Sequence, residues 1–326
     1  MLIAYVPVGG VLKDHVVSAP DQVPEAALWL DLVQPEPGED HLVETVVGVE
    51  IPTREEMREI EPTSRLRATS GARYMTLSVL VDSGEISTAL TPVTFILAKG
   101  RLITVRYSRP NFIAKFASGA RKLDSARPTA EGLLLDLLDT IIDRAADVLE
   151  DCGADIERLS QHVFDRKAGN SGTNNSYRAI LSRLGLQEGL TSSVRESLAS
   201  LSRMIAFLGV ETEEVPALAR EHRARLKSMT RDVVGLADYA TFLANKLQFL
   251  LDGTIGMVSL EQNNIIKIFA VLSVVLMPPT LIASVYGMNF EHMPELHTTF
   301  GYPIALTAML VSAITPYVFF KWRGWL

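Results

Sequence analysis

Ser273, Met277, Thr280, Ser284 and Gly287 recur at spacings of four, three, four and three residues inside an otherwise apolar run. Stepping back from Ser273 in the same rhythm reaches Ala270, Ile266 and Asn263. That rhythm puts them all on one face of a helix, while Val271, Val274, Val275, Leu281, Ile282 and Val285 fall on the other faces. Polar groups on a membrane-length helix are costly unless they face a cavity or a partner helix. The stripe therefore has two readings, the lining of a narrow polar path in a bundle of such helices or a small-residue packing face. It holds no Asp, Glu or His. A path that stripped a hard divalent cation of its water would need several oxygen ligands, usually with carboxylates among them, whereas hydroxyls and amides can hydrogen-bond the waters the ion keeps. The chemistry on offer is passage of a largely hydrated cation. At the end of the run, Tyr286-Gly287-Met288-Asn289-Phe290 supplies a glycine where a helix can stop and a carboxamide that can accept hydrogen bonds from coordinated water. Pro278 and Pro279 cannot donate, so the carbonyls of Val274 and Val275 lose their helical partners and a kink or loosening is expected there.

The elements that must hold these residues are membrane helices. Hydrophobic residues make up 48% of the 326, and the mean hydropathy is +0.19. The excess sits in two runs, Ile265 to Tyr286 with one charge at Lys267, and Tyr302 to Phe320 with none. At the helical rise each reaches roughly 30 Å, the thickness of a bilayer's hydrocarbon core. The N-terminus, Met1 to Gly10, lacks the basic flank and apolar stretch of a signal peptide, so the front portion is expected in the cytoplasm. Lys267 precedes the first run, Lys321 and Arg323 follow the second, and the loop between carries Glu291 and Glu295 without a base. By the positive-inside rule both termini then face the cytoplasm. The single cysteine, Cys152, fits a reducing compartment.

Residues 1–128 alternate strand and helix signals. Strands are expected at Leu2 to Val8, Ala27 to Val33, Tyr74 to Val81, Val93 to Ala98 and Leu102 to Tyr107, the last two joined as a hairpin by Lys99-Gly100-Arg101. Helices are expected at Glu39 to Val47, Thr53 to Ile60 and Pro110 to Leu123. This is an α/β domain with a mixed sheet, and no glycine-rich phosphate loop accompanies it. Residues 129–215 read as an antiparallel helical hairpin, Thr129 to Phe164 and Ser176 to Leu208, around a Gly/Asn/Ser-rich turn. Residues 216–264 form a stalk helix with an apolar or small stripe at Leu226, Met229, Val233, Leu236, Ala240, Leu243, Leu247, Leu250, Thr254 and Met257. No breaker separates the stalk from the first span at 265–286, so one helix of roughly 105 Å is expected. Identical rods bundled about a symmetry axis would cover it, or a hairpin packed within the subunit. An outer loop at 287–301, a second span at 302–320 and a basic tail at 321–326 complete an α+β membrane protein.

Tyr286-Gly287-Met288-Asn289-Phe290, followed by Met293-Pro294-Glu295-Leu296, resembles the signature of the CorA family of magnesium transporters. Glu261-Gln262-Asn263-Asn264 before the first span, Met277-Pro278-Pro279-Thr280 within it and Phe300-Gly301-Tyr302-Pro303 at the second also look like that family. The resemblance is close over about residues 260–326 and extends by element order to the whole chain. It implies a funnel-shaped homopentamer in the bacterial inner membrane that takes up Mg2+, its substrate and regulator, with hydrated divalent cations and the bilayer as partners and no nucleic acid. Gly287, Met288 and Asn289 would form the outer mouth that first meets the hydrated ion. Asn263 matches the family's inner asparagine, and Phe269 and Met277 its hydrophobic constriction. Relatives carry Co2+, Ni2+ or Zn2+, and those that carry zinc often vary the residue at Met288.

Between Glu131 and Ser160 nine acids face two bases, so the whole net charge of −7 is matched by thirty residues. Asp136, Asp139, Asp143 and Asp147 share one helical face, and such stripes are ordinarily solvated. They, with Asp232 on the stalk, are candidate acids through which cytosolic Mg2+ would hold copies together and close the pore. A basic stalk face of Arg220, Arg223, Lys227 and Arg231 would compete by direct ion pairing. Glu291 and Glu295 would raise the cation concentration at the mouth. His292 and His297 lack metal-ligand spacing, Cys152 has no base nearby in sequence, and no catalytic constellation is present. A membrane-anchored scaffold or sensor is the alternative outside transport.

Overall fold

The computed structural model describes residues 1–69, 71–82, 88–110, 113, 116–117, 128–164, 174–210, 218–288, 298 and 300–324. The chain divides into two compact units, Met1–Leu250 and Leu251–Leu326.

In the first unit, β1 (Leu2–Val8), β2 (Val11–Val17), β3 (Trp29–Val33), β4 (Leu66–Thr69), β5 (Ala72–Asp82), β6 (Thr88–Ala98) and β7 (Arg101–Arg106) form one sheet in the order β2-β1-β3-β7-β6-β5-β4. The sheet is mixed, as expected: β3 and β7 run parallel and their neighbours antiparallel. The β6–β7 hairpin closes on Lys99 and Gly100, both with positive φ (49° and 73°), and Ala98 pairs with Arg101. Two left-handed residues match the twist of the flanking strands, and glycine tolerates the second without strain.

Two edge strands were not legible in the sequence. β2 carries Lys13, Asp14 and His15, which destroy the apolar alternation, yet an edge strand needs little burial and is protected by such charges. β4 has only four residues. Helix α1 (Glu39–Val47) forms where expected, whereas Thr53 to Ile60 yields only a single turn at Glu56–Arg58, followed by the short α2 (Pro62–Arg65). The start signal there is real: Thr53 N–H donates to Glu56 Oε2 at 2.8 Å and Glu56 N–H to Thr53 Oγ1 at 3.3 Å. With Pro52 and Pro62 on either side, the turn has no length over which to propagate. The helix expected from Pro110 lies largely outside the described residues.

The sheet is covered on both faces. Leu30, Leu32, Ile96 and Ile103 pack with Leu42, Val43 and Val47 of α1. Trp29, Leu77, Phe95 and Leu102 pack with the helical hairpin, α3 (Ala130–Phe164) and α4 (Asn174–Leu208). Helix α5 (Arg220–Tyr286, 67 residues) contributes Leu226, Met229, Val233, Ala240, Leu243, Leu247 and Leu250 to that second core. The stalk stripe from Leu226 to Leu250 therefore shares one apolar core with this chain's own hairpin. Any bundling of copies has to use other faces, where Phe242 and Phe249 are exposed. The second unit holds the C-terminal part of α5 and α6 (Gly301–Trp322).

Cys152 is fully enclosed in the hairpin core, where burial pushes its thiol up to about 11 against a hydrogen bond with Thr191. At pH 8 roughly a thousandth of it is thiolate, the reactive form. The folded protein should stay unlabelled by a thiol reagent at that pH and become labelled on denaturation; labelling at the rate of a free thiol before unfolding would contradict the burial.

Candidate functional site

The residues of the stripe lie on the second half of α5. This helix and α6 are the two, among the described residues, long and apolar enough to cross a membrane, and only 6% of each apolar window is buried within the chain. From Ile265 to Tyr286 the buried residue is Val271, and in α6 it is Ala305. An apolar surface of that size left uncovered demands lipid or protein around it.

Asn263, Phe269, Ser273, Met277, Thr280 and Ser284 are all exposed. Ser273, Met277, Thr280 and Ser284 line one open groove together with Leu272, Leu276 and Leu281. Ser273 Oγ donates to the Phe269 carbonyl at 2.9 Å and Thr280 Oγ1 to the Leu276 carbonyl at 2.7 Å. With their protons directed into the helix, both oxygens present lone pairs outward. That polarity suits water bound to a cation, whose hydrogens point away from the metal. Helix α5 runs through Pro278 and Pro279 without a break in its assignment, so the expected loosening does not end the helix.

The helix stops at the glycine. Gly287 N–H donates to Ala283 O at 2.9 Å and Met288 N–H to Val285 O at 3.3 Å, which satisfies two of the last carbonyls. A Cβ on Gly287 would stand 3.0 Å from Ala283 O, so the backbone passes closer there than other residues accept easily. Met288 is exposed. Asn289, Glu291, Glu295, His292 and His297 lie outside the described residues.

The candidate regulatory acids separate into two groups. Arg225 Nη2 reaches Asp136 Oδ1 at 2.7 Å and Asp139 Oδ2 at 2.6 Å, which ties α5 to α3. Burial works against the Arg225 charge, but the hydrogen bonds to Asp139 and Asp136 outweigh it and raise the guanidinium above its ordinary value. Asp143 and Asp147 on α3 and Asp232 on α5 are exposed. Among the described residues no group of three or more His, Cys, Asp or Glu is placed to hold a metal. The stalk bases expected to pair with the hairpin, Arg220, Arg223, Lys227 and Arg231, are exposed, and the cation found between the acids is Arg225. Its signal was present in the sequence. Arg225 lies four residues before the core residue Met229, hence at the edge of the apolar stripe, where a long side chain reaches the facing helix. A second cross-helix pair joins Lys246 Nζ to Glu157 Oε2 at 2.6 Å and holds that carboxyl below its usual range.

Residues 24–322 match the family described as CorA-like Mg2+ transporter protein. The chain is 36% identical over 301 residues to the magnesium transport protein CorA of Yersinia pseudotuberculosis, covering 92% of each. It is 34% identical over 300 residues to that of Escherichia coli, again covering 92% of each. Its fold is that of the complete CorA magnesium transporter from Methanocaldococcus jannaschii, with a TM-score of 0.77 at 17% identity over 100% of this chain and 99% of the other. The full-length CmaX protein aligns with a TM-score of 0.67 at 13% identity over 98% and 96% of the two chains. With a family match across most of its length and relatives above one-third identity, the chain belongs to the CorA family of transporters, not enzymes.

Proposed function

We propose that the chain mediates uptake of Mg2+ across the bacterial inner membrane, as a channel-like homopentamer with both termini in the cytoplasm. The observation that carries this reading is the exposed, carboxylate-free polar face of α5, ending at Gly287 in a chain of the CorA family. First spans arranged about an axis would turn that face inward, from Ser284, Thr280, Met277 and Ser273 to Phe269 and Asn263. The Gly287-Met288-Asn289 mouth would select the hydrated ion, and Glu291 and Glu295 would concentrate cations before it. Movement follows the electrochemical gradient, since a membrane potential of about 100 mV drives a divalent ion with about 4.6 kcal/mol. Purified protein in liposomes should take up Mg2+ when an inside-negative potential is imposed; absence of uptake by intact oligomer would overturn the reading.

Cytosolic Mg2+ would close the path by bridging carboxylates. Asp136 and Asp139 share a guanidinium, and the candidate acids whose side chains are exposed are Asp143, Asp147 and Asp232. Replacing these three by asparagine should raise the internal Mg2+ concentration that half-inhibits uptake by several-fold. An unchanged half-inhibiting concentration would remove them from the regulatory scheme.

A further inference from the structure

We propose that Arg225 is a fixed internal cation, standing where a divalent ion would otherwise bridge Asp136 and Asp139, and that it makes the seam between α3 and α5 independent of the Mg2+ concentration. One guanidinium nitrogen, Nη2, lies within 2.7 Å of an oxygen of each carboxylate. Its two N–H bonds can serve one acceptor each. Asp136 and Asp139 are neighbours one turn apart on α3, so without a cation between them their charges repel. A metal ion would relieve that repulsion only in proportion to its occupancy, which follows concentration. A guanidinium is covalently present and keeps its proton throughout the physiological range.

The far end of the seam is held in the same way. Lys246 reaches Glu157 at 2.6 Å, and the 21 residues from Arg225 to Lys246 on α5 match the 21 from Asp136 to Glu157 on α3. The two helices thus run parallel in one register between the clamps. Between them, nearer the Lys246 end, a Cβ on Gly153 would stand 2.5 Å from the Tyr239 hydroxyl, so α5 seats against α3 at a glycine. Each of these contacts uses groups that are always present. Arg225 is on these grounds a positioning residue, and a response to Mg2+ has to arise outside this seam. This last step rests on the reading of Mg2+ as a cytosolic regulator; the test below measures no transport, so the two can fail separately.

The test is hydrogen–deuterium exchange of the full-length protein in lipid nanodiscs, with chelator and with millimolar Mg2+. Amides of residues 133–140 and 222–229 should exchange at the same rate within about twofold in both conditions. Arg225→Gln should exchange at least about tenfold faster in chelator and recover most of its protection in Mg2+, because the two carboxylates then bind the ion instead. Arg225→Lys should stay near the parent. Adding Asp136→Asn and Asp139→Asn to Arg225→Gln should remove the response to Mg2+. A parent seam that Mg2+ protects several-fold would overturn the proposal, and this measurement needs no variant. So would Arg225→Gln protein that exchanges faster but is indifferent to Mg2+, which would leave Arg225 a structural ion pair only.

Discussion

Asn289→Ala should reduce Mg2+ uptake into liposomes at least about a hundredfold while leaving the oligomer intact. On the proposed function, Asn289 offers a side-chain carbonyl to water coordinated by the incoming ion. A hydrogen bond to a charged species contributes about 1.5–3 kcal/mol, and a symmetric ring loses one in every subunit, so more than two decades are at stake. The substitution shortens a carboxamide to a methyl group and deletes no apolar side chain. Melting temperature and oligomer size should therefore match the parent. Asn289→Asp separates recognition from mere polarity. A carboxylate would hold the ion more strongly and slow its release, so uptake should saturate at lower Mg2+ with a lower maximal rate. Uptake by Asn289→Ala at the parent rate would refute the role of the mouth.

The largest expected effect on stability comes from the centre of the sheet. Asp31→Ala should lower the melting temperature of the unit Met1–Leu250 by roughly 10 °C, on a cost of about 3–5 kcal/mol for leaving a buried charge unpaired. Asp31 is fully buried on β3 and accepts from Thr104 Oγ1 at 2.6 Å, Arg106 Nε at 3.1 Å and Arg106 Nη2 at 2.8 Å on the parallel strand β7. Trp29 Nε1 donates in turn to Thr104 Oγ1 at 2.9 Å. The network joins the only described parallel pairing in the sheet, Asp31 opposite Thr104. Removing its acceptor strands the Arg106 guanidinium, whose side chain is 8% exposed. The double variant Asp31→Leu/Arg106→Met should recover much of the loss, since a well-packed apolar pair can replace a buried ion pair. A melting temperature for Asp31→Ala within about 2 °C of the parent would show that water or another group takes up the charge. Differential scanning with tryptophan fluorescence reports the transition through Trp29, which sits in the same core.

Much of this architecture was legible in the residues themselves. Short apolar, β-branched runs bounded by turn residues located β1, β3, β5, β6 and β7, because central strands bury side chains on both faces. Three-and-four periodicity located α3, α4 and α5, and the length of the apolar runs separated the spans from the rest. The polar face from Asn263 to Ser284 follows from the sequence, since a helix fixes which residues share a side. Tertiary structure alone decided matters that depend on two segments distant in sequence. It showed that the hairpin and the stalk stripe share one apolar core, that Arg225 rather than the exposed stalk bases meets Asp136 and Asp139, and that β2 and β4 complete the sheet. The physical reason is common to all three: helical and strand periods are local and written in neighbouring residues, whereas which face meets which partner is settled by packing over the whole chain.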